Sequence, residues 1–221
     1  MVLCYAEKSN IGFEYLRSRG LTRATIKEFN LLYYNGDILL GFPETLRQPW
    51  VHTLQRTLTQ PYYNHRFDYT IVIPVFDMYN RYVSIMVRQL TDKEPKFDGI
   101  PYIKTQHVFG LYKTYESILH KKEVYITEGV FDFLMLWQSG IHQCVAANGC
   151  SLSLTQISLC ARFTKQFNVV FDPDTAGDTG TIKTKNILEK WGYACKSIRL
   201  DDSCDLDEYI IKHGVQRFLK L

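Results

Sequence analysis

Val169-Val170-Phe171-Asp172-Pro173-Asp174 reads as a short apolar strand that ends on two carboxylates. Earlier in the chain, Tyr125-Ile126-Thr127-Glu128-Gly129 has the same form, an apolar run closed by an acid and a glycine. Later, Asp205-Leu206-Asp207-Glu208 opens a helical pattern. Around these stretches strands and helices alternate: strand 123–127, helix 130–139 closed by Gly140, strand 143–147, helix 154–165, strand 167–171, helix 178–191 closed by Gly192, strand 193–199, and helix 205–213 closed by Gly214. Alternation at this spacing predicts an α/β fold with a parallel-core sheet flanked by helices. Ligands in such sheets bind beyond the carboxyl ends of the strands, where Glu128 and Asp172 fall.

Working back towards the start, the pattern changes to a mixed α+β subdomain. Phe13, Leu16, Leu21, Ile26 and Phe29 keep a helical spacing that Gly20 interrupts. The run Leu16-Arg17-Ser18-Arg19-Gly20-Leu21-Thr22 predicts a helix with a glycine C-cap, then Thr22 as the N-cap of a second. Residues 44–60 read as another helix. Residues 69–75 and 82–88 read as two strands joined at Asp77-Met78-Tyr79-Asn80, with Pro74 placing the first at an edge or bulge. Residues 91–107 read as a polar loop carrying Lys93, Lys96, Lys104 and His107. A boundary near 115–122 divides the chain into domains 1–116 and 117–221.

Bulk composition narrows the function classes. A chain of 221 residues, 46% apolar and 14% aromatic, buries a real core and is not a disordered tail. Its apolar runs are far shorter than a membrane span, and no leader pattern opens it, so a cytoplasmic protein of a bacterial cell or infected host is expected. The six cysteines form no CxxC pair, so reduced structural thiols are expected and no zinc site. Net charge is +3, and the surplus lies in residues 1–116, with 14 Lys/Arg against 11 Asp/Glu; residues 117–221 hold 12 of each. That division suits a phosphate-contacting half beside a metal-bearing half.

Carboxylates gathered at strand ends without basic partners repel one another, and a fold that keeps them together does so chiefly to hold hard divalent cations. Each cluster also has a plain structural reading. Glu128 and Asp132 enrich a first helical turn, which favours acids. Asp172-Pro173-Asp174 makes an Asp-Pro turn. Asp205 and Glu208 stand at N-cap and capping-box positions. The clusters support each other because the alternating fold brings all three to one edge.

These motifs resemble the Toprim domain, and the whole chain is similar to the RNA-polymerase core of bacterial and phage primases. The Toprim signature, Glu-Gly after one strand and Asp-x-Asp after a later one, is matched by Thr127-Glu128-Gly129 and Phe171-Asp172-Pro173-Asp174. Primases add an acid matched by Asp132, an Asp-x-Ala-Gly matched by Asp174-Thr175-Ala176-Gly177, and a closing Asp-Pro-Asp represented by Asp205-Leu206-Asp207. Ala146-Ala147-Asn148-Gly149-Cys150-Ser151 resembles the glycine loop between the acidic motifs. In the first half, Tyr15-Leu16-Arg17-Ser18-Arg19-Gly20-Leu21, Ile71-Val72-Ile73-Pro74-Val75 and Val108-Phe109-Gly110-Leu111-Tyr112 match primase-core segments. The arginine-rich approach to the first strand in bacterial members is Phe67-Asp68-Tyr69-Thr70 here, and the closing proline is Leu206.

The resemblance implies synthesis of RNA primers on single-stranded DNA from nucleoside triphosphates, with Mg²⁺ or Mn²⁺. Glu128, Asp172 and Asp174 are then the catalytic metal ligands, while Asp132, Asp205 and Asp207 shape a second ion site or its water shell. Arg88, with Lys96 or Lys104, is implied to contact nucleotide or template. A replicative helicase or a separate zinc-module protein is an implied partner, since neither family module is expected within these residues. A Toprim nuclease and a non-catalytic replisome adaptor are the alternatives. Asp174→Ala is expected to abolish synthesis with little effect on folding.

Overall fold

The computed structural model describes residues 3–35, 53–54, 56–57, 60 and 67–221. They divide into two units, the first drawn from within Met1–Val75 and Tyr82–Tyr102, the second from Phe76–Arg81 and Ile103–Leu221.

The first unit carries strand β1 (Leu3–Tyr5), helices α1 (Asn10–Ser18) and α2 (Arg23–Glu28), and strands β2 (Leu32–Tyr34), β3 (Thr70–Phe76), β4 (Tyr82–Gln89) and β5 (Phe97–Gly99). The strands form one sheet in the order β1-β2-β3-β4-β5. Ser9 caps α1 by accepting from the Gly12 N–H at 3.0 Å, and Thr22 caps α2 by accepting from Thr25 at 3.3 Å. Gly20, at φ +76°, turns the chain between them as its position predicts. Leu16 and Ile26, from the helical stripe, are fully buried.

Two expectations for this half need correction. Pro74 does not mark an edge strand, because β3 lies inside the sheet. The described pairing with β2 covers only residues 70–72, so Pro74 lies beyond it and withholds no N–H from that ladder. The stretch 91–107 is not all loop: Phe97–Gly99 pairs with Met86–Arg88 as β5, and Lys104–Gln106 forms a 3-10 turn. Three residues paired at a sheet edge carry no alternation to read. Of the helix expected over 44–60, residues 53, 54, 56 and 57 are helical, Gln60 lies in a bend, and the others lie outside the described residues.

The second unit alternates as expected: α3 (Leu111–Lys121), β6 (Val124–Thr127), α4 (Val130–Gln138), β7 (Cys144–Ala146), α5 (Leu154–Cys160), β8 (Gln166–Val170), α6 (Thr175–Lys190), β9 (Ala194–Ser197), α7 (Leu206–His213) and α8 (Val215–Phe218). Its sheet runs β7-β6-β8-β9, and each neighbouring pair is parallel, with Tyr125 opposite Cys144, Ile126 opposite Val169 and Asn168 opposite Lys196. Val124, Ile126, Val145, Phe167 and Val169 pack with Ile118, Ile157 and Leu188 of the helices into one core. Each such side chain contributes about 1.5–3 kcal/mol. Because the strands share one direction, the chain leaves β6, β7 and β8 at the same end. That end carries residues 128–129, 147–153 and 171–174. Before β6, Phe109 and Ala146 exchange two backbone hydrogen bonds of 3.1 Å, which fastens the segment preceding α3 to the end of β7.

No helix among the described residues is long and apolar enough to cross a membrane. Cys144, Cys150, Cys160, Cys195 and Cys204 are free thiols, the first and third buried.

Candidate metal and nucleotide site

All six predicted acids belong to the second unit, and five of them lie at or beside the start of a helix. Glu128 follows β6 directly. Asp132 is the third residue of α4, and its Oδ2 accepts from the Gly129 N–H at 3.2 Å. Its Oδ1 accepts from the Asp207 N–H at 3.2 Å, so one buried carboxylate ties the first turns of α4 and α7 together. Asp172 lies just past β8, half-buried. Asp174 caps α6 by accepting from Gly177 at 2.7 Å, a task the sequence reading did not give it. A Cβ at Gly177 would overlap the Asp172 carbonyl, so glycine lets this helix start directly on the strand end. Asp205 stands at the N-cap position of α7, but its side chain makes no capping bond. The Asp207 Oδ1 accepts from the Glu208 N–H at 2.9 Å.

These acids sense each other. The Asp172 carboxyl is pushed up to about 7, first by burial and then by Asp205, Glu128, Asp174 and Asp207. Burial also raises Asp132 well above the carboxylate range, with Asp207, Asp172 and Asp205 adding to it and the Asp207 N–H opposing. Glu128 is raised by burial, then by Asp174 and Asp205, against the opposing Asp172 N–H. Among the described residues, no cation relieves any of the three. The Glu128 Oε2 is buried without a hydrogen-bond partner among the described residues. Hard oxygen donors that repel one another, one of them orphaned, fit a hard divalent cation. Among the described residues, no three His, Cys, Asp or Glu side chains already stand together as a ligand cluster. Ion binding would therefore draw in the exposed Asp174 and Asp205 carboxylates.

Acids close by in sequence are spent differently. Asp201 accepts from the Tyr209 hydroxyl at 2.5 Å and Arg217 at 2.6 Å, and Asp202 from Lys212 at 2.6 Å with His213 Nε2 at 3.0 Å. These partners hold both carboxyls below their ordinary range. Asp178 pairs with Arg199 at 2.5 Å. Glu123, at the opposite end of β6, accepts from Asn168 at 2.9 Å and Gln143 at 3.2 Å. An open cleft of about 390 Å³ lies between Pro173 and the segment Arg199–Ser203.

The predicted basic residues separate. Arg88, on β4 of the first unit, donates from Nε to the Tyr15 hydroxyl at 2.9 Å and lies over the Phe97 ring. Lys96, also in the first unit, donates to the Thr91 carbonyl at 3.3 Å and lies 3.9 Å from Glu94. Lys104 belongs to the second unit, with the acids, and is exposed.

Residues 125–210 match the Toprim-like family. The chain is 28% identical over 218 residues to DNA primase of Clostridium acetobutylicum, covering 94% of this chain and 36% of that protein. The Aquifex aeolicus primase structure, with zinc-binding and RNA polymerase domains, superposes with a TM-score of 0.81 at 26% identity, over 96% of this chain and 56% of that one. The chain is a Toprim-bearing homologue of the bacterial primase catalytic core. A DnaG primase catalytic domain bound to single-stranded DNA shares the same fold, with a TM-score of 0.75 at 22% identity over 97% of this chain and 72% of that one. This primase-core homologue spans between 33% and 45% of the length of three curated primases it matches. The Toprim-like match points to use of a divalent metal, which the acidic strand ends suit.

Proposed function

We propose that this chain is the catalytic core of an enzyme that makes short RNA primers on a single-stranded DNA template. The reading rests on one coincidence. Six mutually repelling acids lie within the stretch that matches the Toprim-like family, and the likeness to primases runs through both units, covering 94% of the chain. A Toprim nuclease would not share the first unit.

Glu128, Asp172 and Asp174 would hold Mg²⁺ or Mn²⁺, with Asp132, Asp205 and Asp207 shaping a second ion site or its water shell. A divalent cation bound there would neutralise triphosphate and pyrophosphate charge and make the ribose hydroxyl more acidic. Nucleotidyl transfer joins the primer 3′-oxygen to the α-phosphorus of a nucleoside triphosphate and breaks the α–β bridge, releasing pyrophosphate and the hydroxyl proton. Asp132 keeps α4 and α7 in register, and so keeps Glu128 and Asp205 at one place. Arg88, with Lys96 or Lys104, all in residues 1–116, would contact template or triphosphate phosphates; an Arg fork and a Lys point charge both serve that task. Residues 117–221 form the metal-binding catalytic domain in this reading. A helicase or a zinc-module protein is its proposed partner, and the replication machinery of the cytoplasm its setting.

Incubation with single-stranded DNA, labelled ribonucleotides and Mg²⁺ or Mn²⁺, with and without a candidate helicase or zinc-module protein, tests the proposal. Short labelled RNA is expected. Shortened template would favour the nuclease, and binding without either product would favour an adaptor.

A further inference from the structure

Gln156 is buried and unusually engaged. Its side-chain nitrogen lies within hydrogen-bond distance of three carbonyls, His107 at 2.9 Å, Ala147 at 3.0 Å and Lys104 at 3.3 Å, and its Oε1 accepts from the Ser153 N–H at 2.9 Å. An amide nitrogen has two hydrogens, so the longest of these bonds is shared. Ser153 caps α5 by accepting from the Gln156 N–H at 3.1 Å, and its hydroxyl donates to the Thr105 carbonyl at 2.6 Å. Capping a helix needs only the reciprocal Ser153–Gln156 pair. The bonds to residues 104, 105 and 107 go further, and hang the Lys104–Gln106 turn from the start of α5.

That turn is thereby tied to the acidic end of the sheet. The Ala147 carbonyl accepts from Gln156, and the Ala147 N–H donates at 3.0 Å to Thr127, the residue before Glu128. Lys104 is exposed on the turn, and its ammonium makes no ion pair among the described residues. Lysine is a point charge on a flexible stem, so its backbone anchor sets where it reaches. Fixing the anchor beforehand lowers the ordering cost of binding.

We propose that Gln156 and Ser153 are positioning residues that hold Lys104 at the carboxylate end of the sheet, where its ammonium takes a phosphate group of a nucleotide or of a nucleic-acid strand. The inference rests on the nucleotidyl-transfer reading and adds to it which residues place the cation.

The test measures dissociation constants of the full chain for ATP with Mg²⁺, and separately for a labelled single-stranded oligodeoxynucleotide. Lys104→Ala should weaken one of the two about tenfold, as loss of a charge-assisted hydrogen bond does; which one weakens identifies the source of the phosphate. Ser153→Ala should weaken the same probe about threefold, and Ser153→Thr, which keeps the hydroxyl, should restore it. In the Lys104→Ala background Ser153→Ala should add nothing, because the two act through one contact. Equal losses in both backgrounds would mean that Ser153 serves only the helix cap, and would overturn the inference. So would unchanged binding of both probes by Lys104→Ala. Gln156→Leu should reproduce the Ser153→Ala loss, and if it does not fold, the Ser153 pair decides alone. A wild-type chain that binds neither probe would overturn the nucleotidyl-transfer reading itself, and this inference with it.

Discussion

Replacing Asp172 with asparagine removes one charge from the middle of the acidic end while nearly preserving shape. In the fold this carboxyl is moved from its ordinary 3.8 to about 7, by burial first and then by its acidic neighbours. Unscreened, the displacement corresponds to about 4 kcal/mol. The group is only half-buried, and solvent screening reduces this to about 1–2 kcal/mol. Between pH 4 and 7 the folded chain holds a proton that the unfolded chain has released. Metal-free wild type therefore loses stability as pH rises through that window and is level above it. The amide of Asp172→Asn does not titrate, so in EDTA at pH 7.5 the variant should melt about 2–8 °C above wild type and show a flatter pH profile. Added Mg²⁺ should reverse the order, because mass action stabilises only the chain that binds it. Thermal melts followed by circular dichroism from pH 5 to 8.5, in EDTA and in Mg²⁺, measure both effects. A variant less stable than wild type in EDTA would mean that Asp172 is not strained by its acidic neighbours, and one that gains as much from Mg²⁺ that it is not a metal ligand.

Asp132→Asn should cost stability at about pH 4, where burial keeps the wild-type carboxyl protonated in the fold and the substitution relieves no buried charge. Its two oxygens accept from two backbone N–H groups, and an amide in their place puts a donor against one of them, costing about 1–3 kcal/mol in urea unfolding. Gly180→Ala should cost about 2–4 kcal/mol, read as a lower urea midpoint, because the new Cβ would overlap the Cys150 carbonyl and lift the 147–152 loop off α6.

Much of this was legible in the sequence, and what was missed has identifiable causes. The apolar runs before Glu128 and Asp172, with Gly140, Gly192 and Gly214 closing helices, dictate the parallel sheet, because buried parallel strands and helix ends leave strong local signals. The same runs put the acids at one end. The helix starting at Thr175 rather than 178 was missed because Asp172-Pro173-Asp174 reads as a turn, although Asp174 with Gly177 three residues on is also a cap. β1, β2 and β5 have three residues each, too few to show periodicity. The Ser153–Gln156 pair has a capping-box spacing visible in the sequence, but its bonds to residues 104, 105 and 107 cross about 50 positions and exist only in the fold. Asp201 and Asp202 look no different in sequence from Asp205 and Asp207; only the placement of Tyr209, Lys212, His213 and Arg217 shows that they are neutralised.

Asp174 also decides the sharpest test. Because it caps α6, Asp174→Ala is not the clean variant the sequence implies: it costs about 1 kcal/mol of helix stability in addition to the charge. Asp174→Asn keeps a capping oxygen and removes only the charge. The decisive measurement is template-dependent incorporation of labelled ribonucleotides into short RNA by wild type and Asp174→Asn, at equal protein concentration and with melting temperatures checked in parallel. Primers are expected from the wild type, with a loss of at least about 100-fold in the variant, consistent with removing a group that stabilises transition-state charge, and little change in metal-free melting temperature. Full primer yield from a folded Asp174→Asn chain would contradict Asp174 as a catalytic metal ligand.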